Sequence, residues 1–145
     1  MIGIEVLRAA DRATWEPLAR AYKHFYRTSV TPAEMDAAWQ RLQASDVVQG
    51  WGAWRAGRMV GIVHALHHAS VWADRVCYLQ DLYVDEAERG QGIAAALIEQ
   101  VARHARANGA ARLYWLTHAD NARARALYDR VAQHQGYIRY DFPMS

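Results

Sequence analysis

The chain has 145 residues, 52% of them hydrophobic, with 17 Lys and Arg against 15 Asp and Glu. That length and apolar fraction suit one domain, residues 1–145, with a core of its own, and argue against a second. A formal charge of +2 with dispersed arginines makes no case for nucleic acid, and no apolar run reaches a membrane span. The single Cys77 leaves no internal disulfide and suits a reducing compartment, and MIGIEVLRAADR reads as neither signal nor transit segment, so the expected location is the cytoplasm.

Ile2, Ile4 and Val6 alternate and predict a short first strand with one buried face. From about Asp11 to Tyr26, Trp15, Leu18, Ala19, Tyr22 and Phe25 or Tyr26 recur at helical spacing, with Pro17 tolerable only in a first turn. Thr31-Pro32-Ala33-Glu34 combines a capping box with proline at the first helical position and starts a second helix, to about Gln43, with Met35, Ala38, Trp39 and Leu42 on its stripe. Gln49 to Arg55, the turn Ala56-Gly57 and Met59 to His68 read as a hairpin, and Cys77 to Val84 as the next strand after a loop carrying Trp72. A third helix buries Ile93, Leu97, Val101 and Ala105 until Asn108-Gly109 stops it. Leu113 to Leu116 is a strand, Asp120 or Asn121 caps a last helix with the stripe Ala124, Leu127 and Val131, and Tyr137 to Phe142 forms a final strand before Pro143. The order β-α-α-β-β-β-α-β-α-β predicts an α/β fold, a mixed sheet with helices on its faces.

The chemistry centres on Arg89-Gly90-Gln91-Gly92-Ile93-Ala94, where a strand passes through a glycine turn into a helix. Glycines leave backbone N–H groups uncovered, the helix start adds unpaired donors, and Arg89 adds a charge, which together favour a diphosphate. Gly90 to Ala95 also fits the dinucleotide form G-x-G-x-x-G/A, with Asp120 downstream. Against it, the acidic stretch Asp85 to Arg89 separates the strand from the first glycine, and too little chain follows Asp120 to complete a doubly wound sheet. No P-loop pattern is present.

The same six residues resemble the Arg/Gln-x-x-Gly-x-Gly/Ala signature of the GCN5-related N-acetyltransferases, and Asn121 to Tyr128 resembles the family's N-x-x-A-x-x-L-Y helix. The strand Tyr78 to Val84 is similar to the fourth strand of that fold. The resemblance implies an acetyl-CoA-dependent N-acetyltransferase, with the fourth strand splayed from the fifth and the pantetheine arm in the gap beside Leu82, Tyr83 and Val84. It implies that the amides of Gly90, Gln91, Gly92, Ile93 and Ala94 hold the diphosphate with Arg89, that Asn121, Ala124 and Tyr128 face the cofactor, and that a backbone N–H, that of Leu82, meets the oxyanion. Tyr128 is implied as general acid; a packing aromatic is the bland alternative.

Leu79-Gln80-Asp81 resembles the Leu-Glu-Asp of the diamine branch, but an amide at Gln80 accepts no proton. Asp81 is then the candidate base, against the alternative of a structural carboxylate; on an ideal strand it lies opposite Gln80 unless a bulge changes the parity. Strand geometry puts His64 and His68 on one face and His67 on the other, without a partner at ligand spacing, so no metal is expected and His64 or His68 is weighed as substrate-facing. Cys77 reads as packing. By the family's layout the amine site takes Tyr22, Phe25, Tyr26, Trp72 and Gln80. WLTHADNARARALYDRVA resembles the yeast-type histone and polyamine enzymes, so a small amine or polyamine is expected in preference to protein lysine. A homodimer is expected, and a non-catalytic acyl-CoA sensor is the competing function that Gln80 leaves open.

Overall fold

The computed structural model describes residues 1–145. The chain forms β1 (Gly3–Val6), α1 (Arg12–Phe25), α2 (Pro32–Ala44), β2 (Val48–Arg55), β3 (Arg58–His68), β4 (Val76–Val84), α3 (Ile93–Ala107), β5 (Leu113–Tyr114) and α4 (Ala122–Val131), with 3-10 turns at Ala9–Asp11 and Glu86–Glu88. The sheet runs β1-β2-β3-β4-β5, antiparallel throughout except for the parallel pair β4 and β5.

Local chemistry accounts for the first elements. Thr31 Oγ1 accepts from the Glu34 amide, the Glu34 carboxylate accepts from the Thr31 amide, and Pro32 opens α2. The β2–β3 hairpin turns on Ala56 and Gly57, both at positive φ, which matches the twist of the flanking strands. Pro17 sits in the second turn of α1, not the first; it forfeits one helical bond, while Trp15, Leu18 and Ala19 around it are buried and anchor the helix.

The sheet divides two cores. On one face α1 and α2 set Trp15, Leu18, Met35 and Trp39 against Met59 and Ile62. On the other, α3 sets Ile93, Leu97, Val101 and Ala105 against Val60, Val63, Ala65, Cys77 and Leu79. Gly61 lets α3 lie close to the sheet, since a Cβ there would meet Ile93 and Leu97 at 3.2 Å.

Three features that the sequence reading left open or had otherwise shape the site. First, β5 has only two residues, paired as Cys77 with Leu113 and Tyr78 with Tyr114, so this side of β4 has no strand partner from Leu79 to Val84. Second, β4 pairs Leu82 with Val63 and Asp81 with His64, then skips Gln80 and resumes with Leu79 opposite Ala65. That extra residue is a β-bulge. Third, the expected strand Tyr137 to Phe142 does not form: the segment is irregular, with Tyr137, Ile138, Tyr140 and Phe142 between 75% and 87% exposed. Alternation alone makes no strand without an edge to pair with, and the two-residue β5 offers almost none. Val131 is likewise exposed, so of the expected α4 stripe Leu127 packs inward, joined by Tyr128, while Val131 does not.

Candidate active site

Two cavities meet at β4. One, of about 630 Å³, lies on the α1 side between Tyr22 and Lys23 of α1 and Tyr26 at its C-cap, Tyr78, Gln80 and Asp81 of β4, and Arg139 of the C-terminal segment. The other, of about 540 Å³, runs along Leu82, Tyr83 and Val84 between the start of α3 and the inner side of α4. Both sizes suit small-molecule ligands. Tyr26 lines both, and the change from one to the other along β4 falls between Asp81 and Leu82.

The second cleft ends on an anion cradle. Gly90 and Gly92 stand at φ +81° and +79°, so a side chain at either is strained whatever the space around it. Gly92 caps α3 without a side-chain hydrogen bond, which leaves the first-turn amides for a ligand. Arg89 is braced there: its Nε donates to the Val84 carbonyl at 3.1 Å and its guanidinium lies 5.4 Å from the centre of the Tyr83 ring. Arg123 and Arg130 of α4 line the same cleft. The acidic connection that told against a dinucleotide is tied elsewhere, with Asp85 and Glu88 on Arg58 at 2.9 and 2.8 Å and Glu88 also on Arg55 at 3.0 Å. Two expected residues offer only backbone here. The Gln91 side chain bonds Arg55, and Ile93 is buried in the α3 core.

Tyr128 lies on the α4 wall. Asn121 caps the helix, its Oδ1 accepting from the Ala124 amide at 3.5 Å and its Nδ2 donating to Thr117 Oγ1 at 3.2 Å. Asn121, Ala124 and Tyr128 all face the cleft, as one helical stripe should. The Tyr128 ring meets Trp115 edge-on at 5.4 Å, and burial pushes its phenol up to about 12, so at neutral pH it carries its proton.

The bulge puts Gln80 and Asp81 on the same cavity. Cys77 and Leu79 face the α3 core before it and Leu82 and Val84 after it, so the strand's alternation shifts by one residue at this point. His64 Nδ1 lies 2.9 Å from Asp81 Oδ2, and the Trp15 indole N–H donates to His64 Nε2 at 3.0 Å. Burial works to raise the Asp81 carboxyl, but the close contact with His64, and after it the neighbouring Tyr22 hydroxyl and the charge of Lys23, outweigh it and hold the group below its ordinary value. Asp81 is therefore an ionised acceptor beside a cavity.

Several expected residues fall elsewhere. Trp72 is 90% exposed and lines neither cavity, because the loop closes on itself through Ser70 N–H to the Ala73 carbonyl and Trp72 N–H to Ser70 Oγ, leaving the indole outside. Phe25 lines the cleft with Tyr128 and not the cavity of Asp81. His64 is buried behind Asp81, His68 bonds the Tyr114 hydroxyl at 2.9 Å, and His67 packs against His104 on the opposite face, so the histidine cluster is divided. Lys23, Tyr78 and Arg139 went unread. Tyr78 was legible as the same-face neighbour of Gln80, whereas Arg139 reaches the cavity from an irregular segment that no periodicity places.

The model of the acetyltransferase (GNAT) family matches residues 15–132. The D-amino-acid N-acetyltransferase HPA3 of Saccharomyces cerevisiae is 31% identical over 144 residues, covering 96% of this chain and 89% of the yeast protein. Among solved structures, the aminoglycoside N-acetyltransferase AAC(6')-Iy in complex with CoA superposes with a TM-score of 0.90 at 15% identity, covering 100% of this chain and 96% of that one. The ribosomal-protein-alanine N-acetyltransferase from Brucella melitensis biovar Abortus 2308 does so with a TM-score of 0.82 at 23% identity, covering 99% of each.

Proposed function

The chain belongs to the acetyltransferase (GNAT) family and is an acetyl-CoA-dependent N-acetyltransferase, and from that premise we propose that it acetylates the primary amine of a small molecule by direct attack, with Asp81 as proton acceptor and Tyr128 as proton donor. The observation that carries the reading is the meeting of the two cavities at Asp81 and Leu82, which sets an ionised carboxylate on the amine side of the wall and a protonated phenol on the other. The cleft fits acetyl-CoA: Arg89 and the amides around Gly90 and Gly92 suit its diphosphate, and the unpaired edge of β4 suits the extended pantetheine arm. The AAC(6')-Iy neighbour of the same fold is described in complex with CoA.

The steps follow from the groups present. Asp81 takes a proton from the ammonium, directly or through water, and the freed nitrogen pair attacks the thioester carbonyl. The Leu82 N–H is the donor for the oxyanion. As the C–S bond breaks, Tyr128 gives its proton to the departing sulfur, and the attacking nitrogen, which still carries a second proton, returns it to the Tyr128 phenolate through water, leaving a neutral amide and CoA. The bulge also answers Gln80: the carboxylate missing there is supplied by the next residue on the same cavity, which favours an enzyme over an acyl-CoA sensor.

Lys23 and Arg139 share the cavity with Asp81, a distribution that suits an amine bearing a carboxylate better than a polyamine, whose further ammonium groups those cations would repel. We therefore favour an amino acid over the polyamine that motif likeness alone brings forward; the yeast relative is named for D-amino acids. The reading keeps the chain in the cytoplasm as a homodimer, for which the exposed Tyr137 to Phe142 segment offers an apolar surface.

Thiol release from acetyl-CoA across D- and L-amino acids, polyamines and lysine peptides tests the substrate class; turnover confined to polyamines or peptides overturns it. The acceptor is tested by kcat/KM from pH 6 to 10. An alkyl amine of pKa near 10.4 is neutral in about one molecule in 2,500 at pH 7, and without a base the rate tracks that fraction. Asp81→Asn is expected to lose about a hundredfold near pH 7 and to converge on the wild type toward pH 10. Superimposable profiles would remove Asp81 from the reaction.

A further inference from the structure

Trp15 and His64 lie outside both cavities, yet two hydrogen bonds run through them from the α1–α2 core to Asp81. An indole N–H has no acceptor capacity, so His64 Nε2, 3.0 Å from Trp15 Nε1, must be the unprotonated ring nitrogen. The imidazole proton then sits on Nδ1 and donates to Asp81 Oδ2 at 2.9 Å. Protonating Nε2 would set two donors against each other beside a Trp15 that is 1% exposed and a His64 that is 9% exposed. The arrangement is built in from the neighbouring strands as well. Gly50 pairs across from His64, and a Cβ there would lie 3.2 Å from His64 Cδ2 and 2.7 Å from Leu7 Cδ1, so the imidazole occupies room that only glycine leaves. On the far side, the bulge brings Asp81 opposite His64.

We propose that Trp15 and His64 are positioning residues for acetyl transfer: the indole fixes His64 as a neutral Nδ1–H donor, and that donor holds the Asp81 carboxylate aligned toward the amine cavity. The proposal rests on Asp81 as the proton acceptor. The other groups facing this carboxylate are the Tyr22 hydroxyl and the Lys23 ammonium from α1, the Tyr78 hydroxyl from β4 and Arg139 of the C-terminal segment. His64 itself takes no proton from the substrate, because its one acceptor nitrogen is already engaged. Its contribution is to tie one oxygen of Asp81, so that the carboxylate meets the amine without a search over side-chain rotation.

The test compares His64→Leu, which keeps bulk and removes the donor, with His64→Asn, whose amide N–H stands near the position of Nδ1, and with Trp15→Phe, which removes the indole N–H together with part of the buried ring system. For each, kcat and KM are measured from pH 6 to 10 and long-range ¹H–¹⁵N imidazole spectra are recorded, with folding checked by circular dichroism. The wild type is expected to show an Nδ1–H tautomer, absent from the spectrum of His64→Asn, at pH 8. His64→Leu should lower kcat about ten- to a hundredfold near pH 7 with the KM for acetyl-CoA unchanged, and His64→Asn should recover most of the loss. In Trp15→Phe the ring should lose its single tautomer and kcat/KM should fall at the acid end of the profile. An Nε2–H or doubly protonated ring in the wild type at that pH overturns the proposal. So does a His64→Leu profile that superimposes on the wild type while Asp81→Asn keeps its loss, a result that leaves Asp81 as the acceptor. Should His64→Leu fail to fold, the wild-type tautomer and the Trp15→Phe profile decide.

Discussion

Tyr128 and Asp81 show how one chemical requirement, the correct protonation state at neutral pH, is met by opposite environments. Tyr128 is surrounded by Trp115, Leu127 and the cleft wall, and loss of hydration raises its phenol. Asp81 is also desolvated, yet the contact with His64, with the neighbouring Tyr22 hydroxyl and the Lys23 charge, reverses the direction. A carboxylate lowered in this way contributes stability that is complete above its unfolded value, near 3.9, and is lost as pH falls through the folded value, so across pH 6 to 10 the fold does not depend on its titration. Activity changes in that window therefore report chemistry. Replacing Tyr128 by phenylalanine keeps the ring against Trp115 and removes only the proton. The expected outcome is a fall in kcat of about a hundredfold with the KM for acetyl-CoA little changed. Steady-state kinetics check it, and an unaltered kcat would make the tyrosine a packing residue.

At the scale of elements, the site depends on three places where regular structure stops. β5 ends after Tyr114, the alternation of β4 breaks at Gln80, and α3 begins on a glycine with its first amides uncapped. Each interruption exposes something that regular structure would consume: strand-edge backbone, two same-face side chains, helix-start donors. Arg89 sits between the second and third, held by the Val84 carbonyl and the Tyr83 ring. Reversing its charge with Arg89→Glu places a carboxylate against the phosphates. Calorimetry is expected to show acetyl-CoA weakened about tenfold or more while a pantetheine fragment without the diphosphate is weakened little. Equal losses for the two ligands would count against the cradle.

For the whole molecule the unresolved demand is apolar. Tyr137, Ile138, Tyr140, Phe142 and Met144 are all at least 75% exposed, an apolar-rich segment with Arg139 and Asp141 interleaved. A second copy covering this run would bury it and would also fix Arg139 at the amine cavity. Light scattering is expected to give twice the chain mass for the full protein, and the chain mass after deletion of 136–145. A full-length monomer would sink the dimer.

The sequence by itself determined whatever depends on neighbours within a turn or a strand. The capping box at Thr31, the hairpin turn at Ala56-Gly57, the stripe of α3 and its stop at Asn108-Gly109, and the glycines ahead of α3 are local, and the structure has each of them. Tyr128 and Asn121 stood out by likeness to the N-x-x-A-x-x-L-Y helix, and that they share a face is again local, since a helical stripe fixes which side chains lie together. Only the tertiary structure decided what depends on a partner far along the chain. Whether Asp81 joins Gln80 on one cavity depends on the register against β3, and the sequence shows two residues without showing which one bulges. Whether His64 meets substrate or backs a carboxylate depends on Trp15, 49 residues away, arriving above it. Tyr137 to Phe142 has the alternation of a strand, but a strand is a relation between two edges, and within one chain the second edge is missing.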